Sequence, residues 1–376
     1  MRSQCTGPDS GLHGSIGNKP FTMANILVTG VAGFIGSHTA DQLLRAGHRV
    51  LGVDNLRTGR MENIAGALGA GLEFHEFSVL DSAHLARLVK KSRIDVIIHM
   101  AALVSVTESI SQPELNFRLN VEATHTVAEA ARGGAVKRLV FASSAAVYGN
   151  TKKVPVAENA VLSPISPYGA AKLASEYLLL SYAANHGMTV RIQRYFNVFG
   201  RRQDPSSPYS GVISIFVRNL CQGKPFTIYG DGRQTRDFIN VADVARANLL
   251  AATMPGVTTG VANICTGQPV SLLALAKNFS RLSPLPPLCF APGRVGEIRH
   301  STGTIHVAET SLGFKSRLEI SDCLAELVKE EKAAASGCAV VSPKLATAVE
   351  RVPREPALGV GSESKGAHRM VGSLAP

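Results

Sequence analysis

The sequence has no tryptophan, and it has no apolar stretch long enough to cross a bilayer. A membrane-spanning helix needs about 20 consecutive apolar residues, and no run in this chain approaches that length. Residues 1–22 also lack the apolar centre of a secretory signal peptide. We therefore expect a cytoplasmic protein that does not engage a membrane.

Cysteines are few and scattered, and no Cys-x-x-Cys pair or histidine cluster has the spacing of a metal site. This pattern indicates reduced thiols with a structural or incidental role, and neither a disulfide framework nor a bound metal is expected. The six cysteines are Cys5, Cys221, Cys265, Cys289, Cys323 and Cys338.

Acidic residues are outnumbered, 28 against 39 lysines and arginines, for a formal net charge of +11. The basic residues are spread along the chain rather than clustered, so binding to nucleic acid is not expected. A basic surface, with a few arginines that meet an anionic substrate, is the simpler interpretation.

What the chain does contain is a regular alternation of apolar strands and amphipathic helices. The predicted strands are unalternated, rich in Val, Ile and Leu, and typical of strands buried on both faces. Together with the intervening helices they predict βαβ units and a Rossmann-type, doubly wound parallel sheet of the α/β class. The predicted strands are Ile26–Thr29, Arg49–Val53, Leu72–Phe74, Val96–His99, Leu139–Ala142 and Thr189–Gln193, and the clearest helices are Phe34–Ala46, Ala83–Lys90, Val121–Ala131 and Ala170–Ala184.

The regular alternation of strands and helices ends after Arg194, where Pro and Gly become frequent. We expect a smaller mixed α/β, substrate-binding domain from residues 195–239 and 265–332, with residues 240–264 returning to a dinucleotide-binding domain of residues 24–194. Residues 1–22 and 333–376 have no periodic pattern, and we expect both to be disordered appendages.

A glycine cluster follows the first predicted strand. Gly30, Gly33 and Gly36 have the spacing Gly-x-x-Gly-x-x-Gly and stand directly before a helix. Glycines let a backbone turn tightly and approach a pyrophosphate, which then lies at the helix N-terminus. The strand before and the helix after are the context that this motif requires.

The second predicted strand leads into Asp54. A carboxylate at this point accepts hydrogen bonds from ribose hydroxyls and repels a 2′-phosphate, so NAD is favoured over NADP. Arg57 weakens the preference for NAD over NADP, because a guanidinium could bind a 2′-phosphate.

Tyr168 and Lys172 are four residues apart on a strong helical pattern and therefore share one helix face. A free tyrosine titrates near about 10. A neighbouring ammonium, together with the positive nicotinamide ring of NAD, would favour the phenolate and make it a usable base. Ser144 ends a predicted strand upstream of this pair.

With these motifs the chain resembles the extended short-chain dehydrogenase/reductase family, and within it the UDP-sugar 4-epimerases. The resemblance covers about residues 24–332. Beyond the motifs above, it is carried by His99–Ala102, Asn120–Val121, Ser143–Gly149, Arg194–Gly200, Arg236–Phe238 and Arg294–Glu297.

The resemblance implies roles for individual residues. Tyr168, Lys172 and Ser144 would be catalytic, and Asn120 would support their geometry. The residues implied to hold NAD are Gly30, Gly33, Phe34, Ile35, Gly36, Asp54, Asn55, Ala101, Ala102, Asn120, Tyr168, Lys172 and Tyr195, and those implied to contact a UDP-sugar are Ser144, Tyr168, Asn197, Thr227, Tyr229, Arg236, Arg294 and Ser301. Three positions depart from many relatives: Ser78 in place of an Asp near the adenine, Glu297 in place of an Asp, and Val104 in place of a Lys.

The residues after Ser144 bear on the type of reaction. Relatives that are 4,6-dehydratases carry Asp-Glu there, and UDP-glucuronate decarboxylases carry a Glu at the second position, whereas this chain has Ala145 and Ala146. Methyl groups cannot move protons, so C4 epimerisation of a UDP-sugar with recycled NAD is favoured over dehydration or decarboxylation. A net sugar reductase or dehydrogenase stays open, as does a non-catalytic NAD-sensing protein.

Two further expectations come from similar epimerases. Their sugar pocket is gated by the residue that corresponds to Ser301, and a small residue there would admit N-acetylated sugars as well as UDP-glucose and UDP-galactose. They are also homodimers that pair helices corresponding to Val121–Ala131 and Ala170–Ala184, and we expect the same arrangement here.

Overall fold

The computed structural model describes residues 23–205, 211–293 and 298–335. The strands, numbered along the chain, are β1 (Asn25–Thr29), β2 (Arg49–Asp54), β3 (Glu73–Glu76), β4 (Val96–His99), β5 (Arg138–Ser144), β6 (Thr189–Tyr195), β7 (Asn197–Phe199), β8 (Phe226–Tyr229), β9 (Thr235–Asn240), β10 (Gly260–Ile264), β11 (Pro269–Ser271), β12 (Leu288–Ala291) and β13 (His300–Ser301). Seven of these strands form a parallel central sheet in the order β10-β6-β5-β4-β1-β2-β3.

Helices cover both faces of this sheet. The helices, numbered along the chain, are α1 (Phe34–Arg45), α2 (Met61–Gly69), α3 (Ser82–Lys91), α4 (Val106–Ser111), α5 (Pro113–Phe117), α6 (Ala123–Gly133), α7 (Pro167–His186), α8 (Val212–Cys221), α9 (Val241–Thr253), α10 (Leu272–Phe279), α11 (His306–Leu312) and α12 (Ile320–Ala335). Helices α1, α2, α9 and α11 bury their apolar residues on one face of the sheet, and α3, α6 and α7 bury theirs on the other. The predicted Rossmann-type architecture is therefore confirmed.

The strand order reverses next to β1. The chain runs from β1 outward through β2 and β3, and then crosses back to β4 on the other side of β1. Such a reversal opens a crevice at the carboxyl ends of the strands, where ligands of doubly wound sheets bind.

A smaller region follows β6. Strands β7, β9, β11 and β13 form one small sheet, and β8 pairs with β12. Their core is built around three aromatic rings and includes residues from α8, α10 and α12. Phe216 stacks on Phe226, and Phe279 meets both of these rings edge-on. Between β9 and β11 the chain returns to the central sheet, where α9 packs on α1 and β10 pairs with β6.

Some boundaries differ from the predicted ones. The third strand is Glu73–Glu76 rather than Leu72–Phe74, because Gly71 has a φ of +99° and the chain only then becomes extended. The helix expected from Val121 begins instead as a π-helical turn, Arg118–Glu122. Helix α12 continues to Ala335, past the expected boundary at residue 332; residues 1–22 and 336–376 lie outside the described ranges. Within those ranges no helix is long and apolar enough to span a membrane.

Candidate active site

The glycine turn between β1 and α1 is shaped by close backbone contacts. Gly30 has a φ of +72°, and a Cβ added to it would lie 2.7 Å from the backbone nitrogen of Ala101. A Cβ on Gly36 would lie 2.1 Å from the carbonyl oxygen of Gly30. Helix α1 begins after Gly33 with no side-chain cap and no acidic residue in its first turn. An uncapped helix N-terminus behind a glycine turn fits a pyrophosphate group.

Asp54 ends β2 beside this turn and is largely buried. Its Oδ2 accepts a hydrogen bond from the amide of Ala32 (3.0 Å) and its Oδ1 accepts one from the amide of Leu56 (2.8 Å). Burial raises the pKa of Asp54, and the two amides oppose that rise. The carboxylate therefore braces the glycine turn in addition to facing the crevice.

A cavity of about 870 Å³ occupies the crevice, within the range of about 300–1,000 Å³ that is usual for small-molecule sites. It is lined by every predicted NAD residue except Asn120. The members of that set on its walls are Gly30, Gly33, Phe34, Ile35, Gly36, Asp54, Asn55, Ala101, Ala102, Tyr168, Lys172 and Tyr195. The departures Ser78 and Val104 also lie on its walls.

The predicted catalytic side chains meet at one end of this cavity. Ser166 caps α7 by accepting a hydrogen bond from the amide of Gly169 (3.1 Å), which places Tyr168 in the first turn of that helix. Ser144 ends β5, and it lines the cavity together with Tyr168. Lys172, one turn further along α7, donates from Nζ to the carbonyl oxygen of Ala142 (2.8 Å).

The pKa values of these side chains differ from the sequence-based expectation, in which the Lys172 ammonium favours the Tyr168 phenolate. Burial raises the pKa of Tyr168, although the nearby Ser144 side chain opposes the rise. Burial also lowers the pKa of Lys172 to about 8, against the effect of the neighbouring Glu176. The Lys172 ammonium lies 5.9 Å from the centre of the Tyr168 ring and is directed at a carbonyl. The polypeptide alone therefore does not lower the Tyr168 pKa, because desolvation of the phenolate is the larger effect.

Asn120 lies behind the cavity rather than on its wall. It sits in the π-helical turn before α6, where its Nδ2 donates to the carbonyl of Leu103 (3.0 Å) and to Oδ1 of Asn116 (2.7 Å). Its own carbonyl accepts a hydrogen bond from Ser175 on α7 (3.2 Å). The residue therefore joins the turn to the helix that carries Tyr168.

The predicted substrate residues are only partly brought together. Asn197 lines the main cavity, and with Arg236 it also lines an adjoining cavity of about 180 Å³. Thr227 and Tyr229 on β8 and Ser301 on β13 line neither of these two cavities. Ser301 pairs in register with Arg236 across β13 and β9. Arg294 and Glu297 lie outside the described residues.

Two ion pairs at the rim of the cavity were not predicted. Arg57, which could have met a 2′-phosphate, is paired with Glu108 on α4. Arg60 is paired with Asp204 after β7. All four residues lie on the cavity wall. No short sequence pattern predicts these ion pairs, because the two residues of each pair are separated by long stretches of chain.

A buried histidine supports the glycine turn and also escaped prediction as an individual residue. His99 is hydrogen-bonded through Nδ1 to Oγ1 of Thr29 (2.8 Å), and that hydroxyl accepts from the amides of Met100 (3.1 Å) and Ala101 (3.2 Å). Burial, and then the charge of Lys172, lower the pKa of His99 to about 3. The ring is therefore neutral and structural at physiological pH.

Comparison with known proteins agrees with this geometry. Residues 26–265 match the NAD dependent epimerase/dehydratase family. A UDP-glucose 4-epimerase of Mycolicibacterium smegmatis is 36% identical over 306 residues, which are 81% of this chain and 97% of the relative. A putative UDP-glucose 4-epimerase of Methanocaldococcus jannaschii is also 36% identical, over 81% of this chain and 97% of the relative.

Comparison with solved structures also finds UDP-sugar 4-epimerases. A UDP-glucose 4-epimerase of Thermotoga maritima with UDP-glucose superimposes with a TM-score of 0.78 at 35% identity, over 83% of this chain and 99% of the other. A UDP-N-acetylglucosamine 4-epimerase of Methanobrevibacter ruminantium, in complex with UDP-N-acetylmuramic acid, has a TM-score of 0.78 at 34% identity, over 84% and 99%. The chain therefore belongs to the NAD dependent epimerase/dehydratase family.

Proposed function

We propose that this protein is an isomerase that binds NAD and inverts C4 of a UDP-sugar through a transient 4-keto sugar. The observation that carries the proposal is the meeting of Tyr168, Ser144 and Lys172 at one end of the cavity that begins at the glycine turn. The similar UDP-glucose 4-epimerases support it.

The residues on the cavity wall fit NAD. The glycine turn and the uncapped start of α1 suit its pyrophosphate, and the Asp54 carboxylate suits a ribose without a 2′-phosphate. The pairing of Arg57 with Glu108 removes the guanidinium that tempered this preference. A bound NAD would supply the hydride acceptor, and in its reduced form the hydride donor, for C4 of the sugar.

Tyr168 is the proposed base. Its phenolate accepts the proton of the sugar 4-hydroxyl and returns it when the carbonyl is reduced again, so no net proton is consumed. Ser144, which lines the same cavity, would hold the same sugar oxygen. The Lys172 ammonium supplies positive charge that favours the phenolate once the site is filled.

The turn after Ser144 explains why elimination and decarboxylation are not proposed. Residues Ala145–Tyr148 form a 3₁₀ turn directly after β5, and Ala145 and Ala146 carry only methyl groups. Dehydration needs an additional acid and base beside the sugar. The chain therefore offers the groups for one reversible proton transfer at C4.

The diphosphate end of the substrate is proposed to lie near Asn197 and Arg236, which share the adjoining cavity. A guanidinium there suits a diphosphate as a charge-assisted donor. Thr227, Tyr229 and Arg294 are retained as proposed contacts from the family resemblance. Residues 24–194 and 240–264 would then hold NAD, and residues 195–239 and 265–332 would hold the UDP-sugar.

Both non-acetylated and N-acetylated sugars are proposed as substrates. The support is that the gate position carries a serine, Ser301, next to Arg236 in register. One of the similar solved structures is a UDP-N-acetylglucosamine 4-epimerase. A small side chain leaves space where an aromatic ring would exclude an acetamido group.

The protein is further proposed to be a cytoplasmic homodimer. Phe117 on α5, just before the first helix expected to pair, is 57% exposed, and Tyr177 on α7, the second of those helices, is 60% exposed. Large exposed apolar side chains on adjacent helices suit a helix–helix interface. The cysteines at 221, 265, 289 and 323 are free thiols, which suits a reducing compartment.

The test is to incubate the purified protein and NAD with UDP-glucose, UDP-N-acetylglucosamine or UDP-glucuronate and to follow products by NMR. The expected result is interconversion of the gluco and galacto forms without build-up of NADH. NADH accumulation would indicate a dehydrogenase instead, and NAD binding without turnover of any UDP-sugar would indicate a sensor.

A further inference from the structure

A buried ion pair lies next to the catalytic residues but outside the lining of the cavity. Glu176 on α7 and Arg194 on β6 are 1% and 3% exposed. Arg194 donates from Nε to Oε1 of Glu176 (2.9 Å) and from Nη2 to Oε2 (2.6 Å), so both carboxylate oxygens are engaged. Neither residue lines the cavity, and neither has a part in the proton transfer proposed above. Burying two charges is costly unless the geometry is good.

The pair is connected to the strand that carries Ser144. Ser143 donates from Oγ to Oε1 of Glu176 (2.5 Å), while Lys172 donates from Nζ to the carbonyl of Ala142 (2.8 Å). Two side chains one turn apart on α7 therefore hold two consecutive residues of β5. The next residue of β5 is Ser144, and the proposed base Tyr168 lies one turn before Lys172 on α7. The contact of Lys172 with Ala142 and the contact of Glu176 with Ser143 form a clamp, which sets the position of α7 relative to the end of β5.

Glu176 also places a negative charge one helical turn from Lys172. Burial lowers the pKa of Lys172 to about 8, and Glu176 is the group that opposes this shift. The other titratable groups facing Lys172 are Tyr168 on α7 and His99 on β4, and the His99 ring is neutral because its pKa is about 3. Arg194 approaches from β6 but is tied to both carboxylate oxygens.

We propose that Glu176 is a positioning residue, which keeps Lys172 charged and clamps the Ser144 end of β5 onto α7. The assignment of a purpose to the clamp rests on the proposed epimerase function, but the effect of Glu176 on Lys172 does not. Arg194 compensates the carboxylate, and its Nη1 donates to the Tyr148 hydroxyl (2.9 Å) and the carbonyl of Glu158 (3.0 Å).

The test compares Glu176→Gln, which removes the charge, with Ser143→Ala, which removes one hydrogen bond and leaves the charge. Glu73→Gln is the matched control, because Glu73 makes the same two-pronged pair with Arg49 (2.7 and 2.9 Å) at the sheet edge, 46% exposed and away from the cavity. The primary readout is the pKa of Lys172, measured by NMR of ¹³C-labelled lysine on the protein without substrate and assigned with Lys172→Arg.

The expected result for Glu176→Gln is a Lys172 pKa lower by about one unit or more, the size of effect that a close opposite charge exerts. Ser143→Ala and Glu73→Gln are expected to leave that pKa in place. An unchanged Lys172 pKa in folded Glu176→Gln would overturn the proposal. If that variant does not fold because Arg194 is left unpaired, the double variant Glu176→Gln/Arg194→Gln removes both charges and is expected to show the same direction of shift.

The second readout is the pH profile of epimerisation. Because Lys172 must be charged, loss of activity on the alkaline side is expected to begin at lower pH in Glu176→Gln, by a similar amount. Ser143→Ala is expected to lower kcat by about tenfold through misplacement of Ser144, with the alkaline limb unmoved, and Glu73→Gln to match the wild type. An inactive wild type would refute the proposed function while the NMR titration still decides the role of Glu176.

Discussion

Replacement of Gly36 by alanine tests whether the turn between β1 and α1 is the cofactor cradle. An added Cβ would lie 2.1 Å from the carbonyl oxygen of Gly30. Real Cβ atoms essentially never have contacts shorter than 3.0 Å, so this contact would be too short by 0.9 Å. It would also lie 2.9 Å from the Gly30 carbonyl carbon and 3.0 Å from Cα of Val31. All three atoms belong to the backbone, so no side-chain rotation can relieve the clash.

The turn itself must therefore move, by nearly an ångström, away from the start of α1. Overpacking of a tightly packed site costs about 1–3 kcal/mol of folding free energy. Movement of this size also displaces the amides proposed to bind the pyrophosphate, and misplacement by about 1 Å can cost about 10²-fold in a positioned interaction. We expect Gly36→Ala to weaken NAD binding by about that factor.

Gly66→Ala is the matched control, because Gly66 lies within α2 and a Cβ there would meet no atom within 4 Å. Alanine in a helix is favoured over glycine by about 0.5–1 kcal/mol, so this variant should be slightly more stable and bind NAD normally. Calorimetric titration with NAD and thermal unfolding would measure both effects. Unchanged NAD affinity in Gly36→Ala would refute the assignment of this turn.

The remaining predictions concern the base, the sugar gate and the dimer. Tyr168→Phe should bind NAD and UDP normally and lose about 10²–10⁴-fold in kcat, because only the proton acceptor is removed; wild-type turnover would exclude Tyr168 as the base. Ser301→Tyr should keep activity on UDP-glucose and lose most activity on UDP-N-acetylglucosamine, and equal losses on both sugars would contradict the gate. The wild type should have the mass of a dimer in light scattering at micromolar concentration, and Phe117→Glu/Tyr177→Glu should reduce it to a monomer without unfolding; a wild-type monomer would contradict the interface.

The alternating strands and helices could be predicted from the sequence because the residue patterns that indicate them are local. A strand buried on both faces must be apolar throughout, and a helix between two such strands must present one apolar face, so the pattern alone indicates a parallel sheet. The glycine turn and the spacing of Tyr168 and Lys172 are local in the same sense, and the structure places all of them on one cavity wall.

The surroundings of these groups could not be predicted from the sequence. Lys172 points at the carbonyl of Ala142 and Glu176 meets Arg194 and Ser143, because α7 packs on β5 and β6 in one particular register. No window of sequence contains those contacts. The pKa values follow from the same packing, since burial rather than spacing dominates the shifts at Tyr168 and Lys172.

The features that depend on near neighbours could be predicted from the residues alone: the order of strands and helices, the glycine turn and the shared helix face of the catalytic pair. The contacts between distant residues, such as Arg57 with Glu108 and Ser301 with Arg236, became known only from the folded chain. Backbone conformation responds to nearby residues, whereas desolvation and ion pairing depend on atoms that only folding brings together.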